Sequence, residues 1–234
     1  MKIKVYQIDH EKDAWNVMFM DYAFTRKHGG VNPAVYKTVF DGNVDANNLE
    51  EVFALLNTQA PVGYNGHSLS VSDIVETEEG FHFCDSFGFK KLESFDVSQA
   101  EPITGHRMLV VEPHKEPYEM VIPEGLEPLQ QAVGGIIDCT YPFDDNTYII
   151  SNDGAKCMGL DGNRRIYGSI YAGVFLIAAD DGYGGTADLT DEQVEKYTEM
   201  FREPEDISPE EVQDEKCRMT WASRLFAINP EIRV

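Results

Sequence analysis

The sequence predicts an α+β fold of two small mixed modules, each built on an antiparallel or mixed sheet, with an acidic helical pair at the C-terminal end. Three observations predict it. Short strand-like runs alternate with short helical ones. A polar, turn-forming stretch interrupts them at 93–105, and two capping boxes open helices in the last third. The expected divisions are a first module at 1–92, a linker at 93–105, a second module at 106–201 and a helical extension at 202–234.

Taken in order, Ile3–Ile8 alternates in the manner of a strand. Asn47 or Asn48 caps a helix over Leu49–Leu56, whose apolar stripe is Leu49, Val52, Phe53 and Leu56. Ile74–Thr77 and Phe81–Cys84 flank Glu78-Glu79-Gly80, the pattern of a hairpin. The second module opens with a strand at Met108–Glu112, closed by Pro113, with Tyr118–Ile122 as its hairpin partner. Leu126–Val133 reads as a helix with Leu126, Leu129 and Val133 on one side and Gly134-Gly135 as its stop. Strands follow at Ile136–Tyr141 and Thr147–Ser151, then one long central strand at Ser169–Ala179. Thr190-Asp-Glu-Gln193 opens a helix to Phe201 with Val194, Tyr197 and Phe201 facing inward. Ser208-Pro-Glu-Glu211 repeats the device, with Pro209 at the favoured first position. That second helix is expected to run to Phe226, burying Val212, Met219, Ala222 and Leu225.

Charge is the outstanding compositional feature: the 234 residues carry a formal net charge of −22. Between 180 and 215 acidic residues outnumber basic ones by fourteen to two, so any electrostatic role belongs to the C-terminal third. Such a field repels phosphate backbones and attracts basic surfaces. Carboxylates in first helical turns also suit the helix dipole, which is the structural explanation for part of the charge. No run approaches the roughly 18 apolar residues of a membrane span, and the strand-like start does not read as a signal peptide. A cytoplasmic protein is expected, with no membrane and no direct nucleic-acid contact. Cys84, Cys139, Cys157 and Cys217 are scattered, which suits buried, reduced thiols better than a zinc site or a disulfide framework.

No catalytic template is complete, so no catalytic residue, cofactor or metal is expected. Gly66-His67-Ser68-Leu69-Ser70 lacks the spacing of a nucleophile elbow. Ser68, Ser70 and Ser72 fit a loop that satisfies its own backbone; a hydrolase using His67, Ser68 or Asp73 is the enzymatic alternative. His82 and Cys84 share a strand face, where they are either core residues or two ligands of an incomplete metal site. Asp180, Asp181 and Asp188 form an oxygen-rich cluster without EF-hand spacing. Arg164-Arg165 reads as part of an exposed loop or a crossing between strands, either clamping a carboxylate or phosphate or pairing with the protein's own acids.

The run Gly63-Tyr-Asn-Gly-His-Ser-Leu-Ser-Val-Ser-Asp73, followed by Phe83-Cys-Asp-Ser-Phe-Gly-Phe89, resembles the signature of the YodL-like family. It departs at His67, where the family pattern carries a basic residue, often arginine. Residues 107–201 resemble a second, uncharacterised domain often fused to the first in Gram-positive mobile elements. Its recognisable pieces include Leu129-Gln-Gln-Ala-Val-Gly-Gly135, Tyr141-Pro-Phe143, Asn163-Arg164 and Ala172-Gly-Val-Phe-Leu176. The resemblance implies conjugative transposons, plasmids and phages as the setting, and counter-defence as the role; it transfers no catalytic residue.

Two functional expectations follow. One is a non-enzymatic mobile-element protein that blocks a host defence factor, such as a restriction or CRISPR component. It would hold a basic, nucleic-acid-handling partner on an acidic surface comprising Asp191, Glu192, Glu195, Glu199, Glu203, Glu205, Glu210 and Glu211. The other is a small-ligand or nucleotide-binding module with Gly66, His67, Ser68, Ser70, Arg164 and Arg165 as contacts.

Overall fold

A computed structural model describes residues 1–215. The chain forms two units, 1–105 and 106–234, and the fold of each is α+β.

In the first unit, β1 (Lys2–Ile8), β2 (Tyr36–Asn43), β3 (Ile74–Thr77), β4 (Gly80–Cys84) and β5 (Phe89–Lys91) form a sheet in the order β2-β1-β3-β4-β5. Every neighbouring pair is antiparallel. Two helices accompany it, α1 (Tyr22–Lys27) and α2 (Leu49–Thr58). Asn48 caps α2 by accepting from the Glu51 amide, while the Glu51 carboxylate accepts from the Asn47 amide. Val52 and Leu56 are buried as the stripe requires, but Phe53 is 41% exposed. Tyr6, Ile8, Tyr36, Ile74 and Phe83 make one apolar cluster, which also takes in Leu92, Phe95 and Ala100. Residues 93–105 are therefore not a linker. Phe95 supplies core, Thr38 N–H donates to Glu101 O (2.8 Å), and Glu101 N–H donates to Tyr36 O (2.9 Å). An aromatic anchor and two backbone bonds to β2 outweigh the polar composition of this stretch.

The second unit holds β6 (Gly105–Val111), β7 (Tyr118–Pro123), β8 (Ile137–Thr140), β9 (Thr147–Asn152), β10 (Gly162–Ile166), β11 (Ser169–Ala172), β12 (Phe175–Asp180) and β13 (Thr186–Ala187). Its main sheet runs β7-β6-β12-β9-β8, with β13 on β12, while β10 and β11 form a separate hairpin. The expected single strand at Ser169–Ala179 is thus two strands in two sheets. Gly173, at φ +69°, turns the chain between them, and its N–H donates to Asp161 O. Only the second piece is central, and it is buried on both faces, as its unbroken apolar run requires.

Among the described residues this unit also has the helices α3 (Leu126–Val133), α4 (Ala155–Met158) and α5 (Asp191–Phe201), followed by a helical segment at 209–215. Gly134 ends α3 in the left-handed conformation (φ +73°). Val133 is buried as expected, together with Ala132, but Leu126, expected on the same side, is exposed. The Thr190–Gln193 capping box opens α5. Val194, Tyr197 and Phe201 pack on Leu109, Ile149, Phe175 and Ile177 of the sheet. The stretch 202–215, expected as an extension, is fastened to this unit. Ile207 and Val212 join Ala155, Ile170 and Ala172 in a second cluster. They approach where Gly162 has no side chain; a β-carbon there would lie 2.5 Å from Ile207. Ser208 and Glu211 cap the helical segment at 209–215 reciprocally. Met219, Ala222, Leu225 and Phe226 lie outside the described residues.

Candidate functional site

The signature loop of the first unit is built around one glutamine. Gln7, on β1, is 1% exposed. Its Nε2 donates to Asp73 Oδ2 (2.9 Å) and His67 O (2.8 Å) and lies 3.1 Å from the Tyr64 hydroxyl. Its Oε1 accepts from the His67 amide (3.0 Å). Gly66 is needed because any β-carbon would lie 2.3 Å from that oxygen. Ser70 N–H donates to Asp73 Oδ2 (2.8 Å), and Ser70 Oγ donates to Ser68 O (2.8 Å). Gly66, His67, Ser68 and Ser70 therefore do come together, but chiefly to satisfy their own backbone.

His67 Nδ1 lies 2.8 Å from Ser68 O and 3.8 Å from Asp73 Oδ2. Its Nε2 is enclosed without a hydrogen-bond partner, as is Asp73 Oδ1. Burial pushes the Asp73 carboxyl up to about 8, although the Ser70 amide and Gln7 pull it down. These groups are close enough to form a dyad, yet the imidazole tip that would meet a substrate is closed off from solvent. The geometry is that of a structural clamp.

The second half of the signature is joined to the first by backbone. Ser72 N–H donates to Cys84 O (2.9 Å), and Cys84 N–H donates to Asp73 O (2.8 Å). Ser72 adopts φ +80°, a region costly for a residue with a β-carbon. That turn lets its carbonyl accept from Tyr36 Oη and its hydroxyl accept from Phe19 N–H. Both halves then border an open pocket of about 670 Å³. Ser70 and Val71 come from the first half, and Cys84 through Phe89 from the second. Phe19 and three residues of α2 (Glu50, Phe53 and Asn57) close the remaining side. Sequence reasoning did not find this pocket. Its one available signal was Phe53, an apolar residue at the edge of the α2 stripe.

Residues 2–95 match the YodL-like domain, and residues 106–202 match the domain of unknown function DUF3846. The chain is a YodL-like module fused to a DUF3846 domain. No curated protein and no solved structure matches it.

In the DUF3846 domain, Arg164 and Arg165 lie on β10, not in an exposed loop. Arg164 is 1% exposed. Its guanidinium donates to Phe201 O (2.7 Å), Lys115 O (2.9 Å) and both oxygens of Asn163. Burial lowers its hold on the proton, while Glu205 acts in the opposite sense. A cation at the last carbonyl of α5 complements the helix dipole, so Arg164 is a structural fastening that no ligand reaches. Arg165 is the neighbour that faces out, where it holds Glu205 (2.8 Å) and Glu211 (2.5 Å). Both arginines belong to a different unit from the Gly66–Ser70 loop.

The acidic surface is partly neutralised. Asp191 pairs with Arg107 (2.6 Å) and Glu199 with Arg202 (2.5 Å), besides the two carboxylates on Arg165. Glu192, Glu195, Glu203 and Glu210 are exposed, and among the described residues no cation pairs with them. Asp180 and Asp181 accept from amides of their own loop, and Asp188 accepts from the Arg107 amide. Among the described residues no three His, Cys, Asp or Glu side chains converge as metal ligands. Cys84 is buried, and burial pushes its thiol up to about 12. Cys139 and Cys157 are exposed, contrary to the expectation of buried thiols. Cys217 lies outside the described residues. No helix among the described residues is long and apolar enough to cross a membrane.

Proposed function

We propose that the chain is a non-enzymatic binding protein of a mobile genetic element. Acting in the cytoplasm, it captures a basic, nucleic-acid-handling host defence factor on the carboxylates of α5 and the stretch that follows. One observation carries the reading: Glu192, Glu195, Glu203 and Glu210 are exposed and unneutralised, while their neighbours are already paired. Carboxylates arrayed on a firmly packed scaffold offer a phosphate-binding groove the charge it accepts, and they accelerate its approach. The resemblance to mobile-element modules supplies the setting.

The test is retention of host proteins by the immobilised chain at low and high salt. A basic defence factor is expected to be held at low salt and released at high salt. Replacing Glu192, Glu195, Glu203 and Glu210 with glutamine should abolish retention. Retention that survives the four substitutions would remove the acidic-surface reading.

A further inference from the structure

The pocket in the YodL-like module combines two features that do not ordinarily meet on a solvated surface. Phe87, at the tip of the β4–β5 turn, is 97% exposed, and Phe19 and Phe53 are 53% and 41% exposed. All three border the same hollow, whose floor includes the buried Leu69. Scattered exposed aromatics need no explanation, but three around one cavity mark a binding surface. The remaining charge on the lining is of one sign. Glu50 and Asp85 are carboxylates, and the lining carries no lysine, arginine or histidine.

This combination selects its occupant. A phosphate or carboxylate ligand would meet two like charges and no donor cation, which excludes nucleotides from this pocket. A purely apolar ligand would leave the carboxylates without a neutralising cation. An organic cation meets both needs, since the faces of phenylalanine rings attract positive charge and the carboxylates neutralise it. Guanidinium suits the site better than ammonium, because it is planar and weakly hydrated and stacks on aromatic rings. It also pairs with a carboxylate through two parallel bonds.

We propose that this pocket docks an arginine side chain of a partner peptide, its stem lying on Phe53 and Phe87 and its guanidinium reaching Glu50 or Asp85. The wall is firm enough to select. Glu50, Phe53 and Asn57 stand at helical spacing on α2, and Asn57 Nδ2 donates to Leu69 O (3.0 Å), tying the helix to the signature loop. Asp85 Oδ1 accepts from the Tyr22 and Ser86 amides, which fixes that carboxylate in place. The pocket and the acidic helices belong to different units, so this docking stands or falls separately from the acidic-surface reading.

The experiment titrates the full chain, by calorimetry, with three blocked tripeptides: Phe-Arg-Leu, Phe-citrulline-Leu and Phe-Glu-Leu. Citrulline keeps the shape of arginine and removes its charge. The arginine peptide is expected to bind about tenfold or more tightly than the citrulline peptide, and the glutamate peptide is expected not to bind. Phe87→Ala leaves the net charge unchanged, so loss of binding in that variant separates the pocket from general attraction to an acidic protein. Glu50→Gln together with Asp85→Asn should erase most of the preference for arginine over citrulline. Unchanged unfolding midpoints will confirm that the variants are folded. Absence of arginine-peptide binding, equal affinity for arginine and citrulline, or undiminished binding by Phe87→Ala would overturn the proposal.

Discussion

At Asp73 burial and hydrogen bonding act in opposite directions, and burial prevails. In the unfolded chain this carboxyl ionises near 3.8, whereas the fold holds its proton up to about 8. Between those values the folded state keeps a proton that the unfolded state has released. The stabilisation is therefore complete below the lower value and is lost as pH rises through the upper one. Denaturant midpoints measured from about pH 5 to about pH 9 should fall for the parent chain and fall less for Asp73→Asn. Identical slopes would show that Asp73 is already ionised in the folded protein. Little of this was legible in the sequence. Ser68, Ser70 and Ser72 were readable as a self-satisfying loop, because such bonds are local. Gln7, which organises the loop, stands far away on β1, and nothing in its neighbourhood distinguishes it from a strand residue facing solvent.

Among the elements, those with local signatures were readable: the capping box of α5, the Asn48 cap of α2 and the glycine stop of α3. The six-residue α1, the three-residue β5 and the edge strand β2 were missed, because they are too short or too irregularly patterned to show a period. Arg164 shows how a tertiary partner reverses a local reading. Beside Arg165 it resembles half of an exposed clamp, yet β10 turns it inward to the end of α5. Arg164→Ala would leave the buried Phe201 carbonyl without that donor, and a buried orphan costs about 1–3 kcal/mol, besides the packing of the side chain that is lost. The variant should lose on the order of 3 kcal/mol of stability in denaturant unfolding. Arg165→Ala, which removes only surface pairs, should lose about 1 kcal/mol or less. Equal losses would contradict the structural role given to Arg164.

For the whole chain, the division into two modules was legible in composition, but the edges were not, because polarity is a poor guide to anchoring. Phe95 and Ala100 sit among polar residues yet complete the first core. A fragment ending at 105 should therefore unfold cooperatively when expressed alone. A fragment ending at 92 should be weaker by about 3–5 kcal/mol, the usual cost of deleting a buried phenylalanine. Equal stability of the two fragments, read from their denaturant midpoints, would return 93–105 to the status of a linker. In the second unit the stretch 202–215 is held by Ile207 and Val212 against Gly162 and by Glu205 and Glu211 on Arg165, while the exposed Glu203, Asp206 and Glu210 are other residues. Attachment and display are thus encoded by separate codons. Substitutions at Glu203, Asp206 or Glu210 can therefore redraw the surface charge one mutation at a time without disturbing the packing that holds the stretch in place.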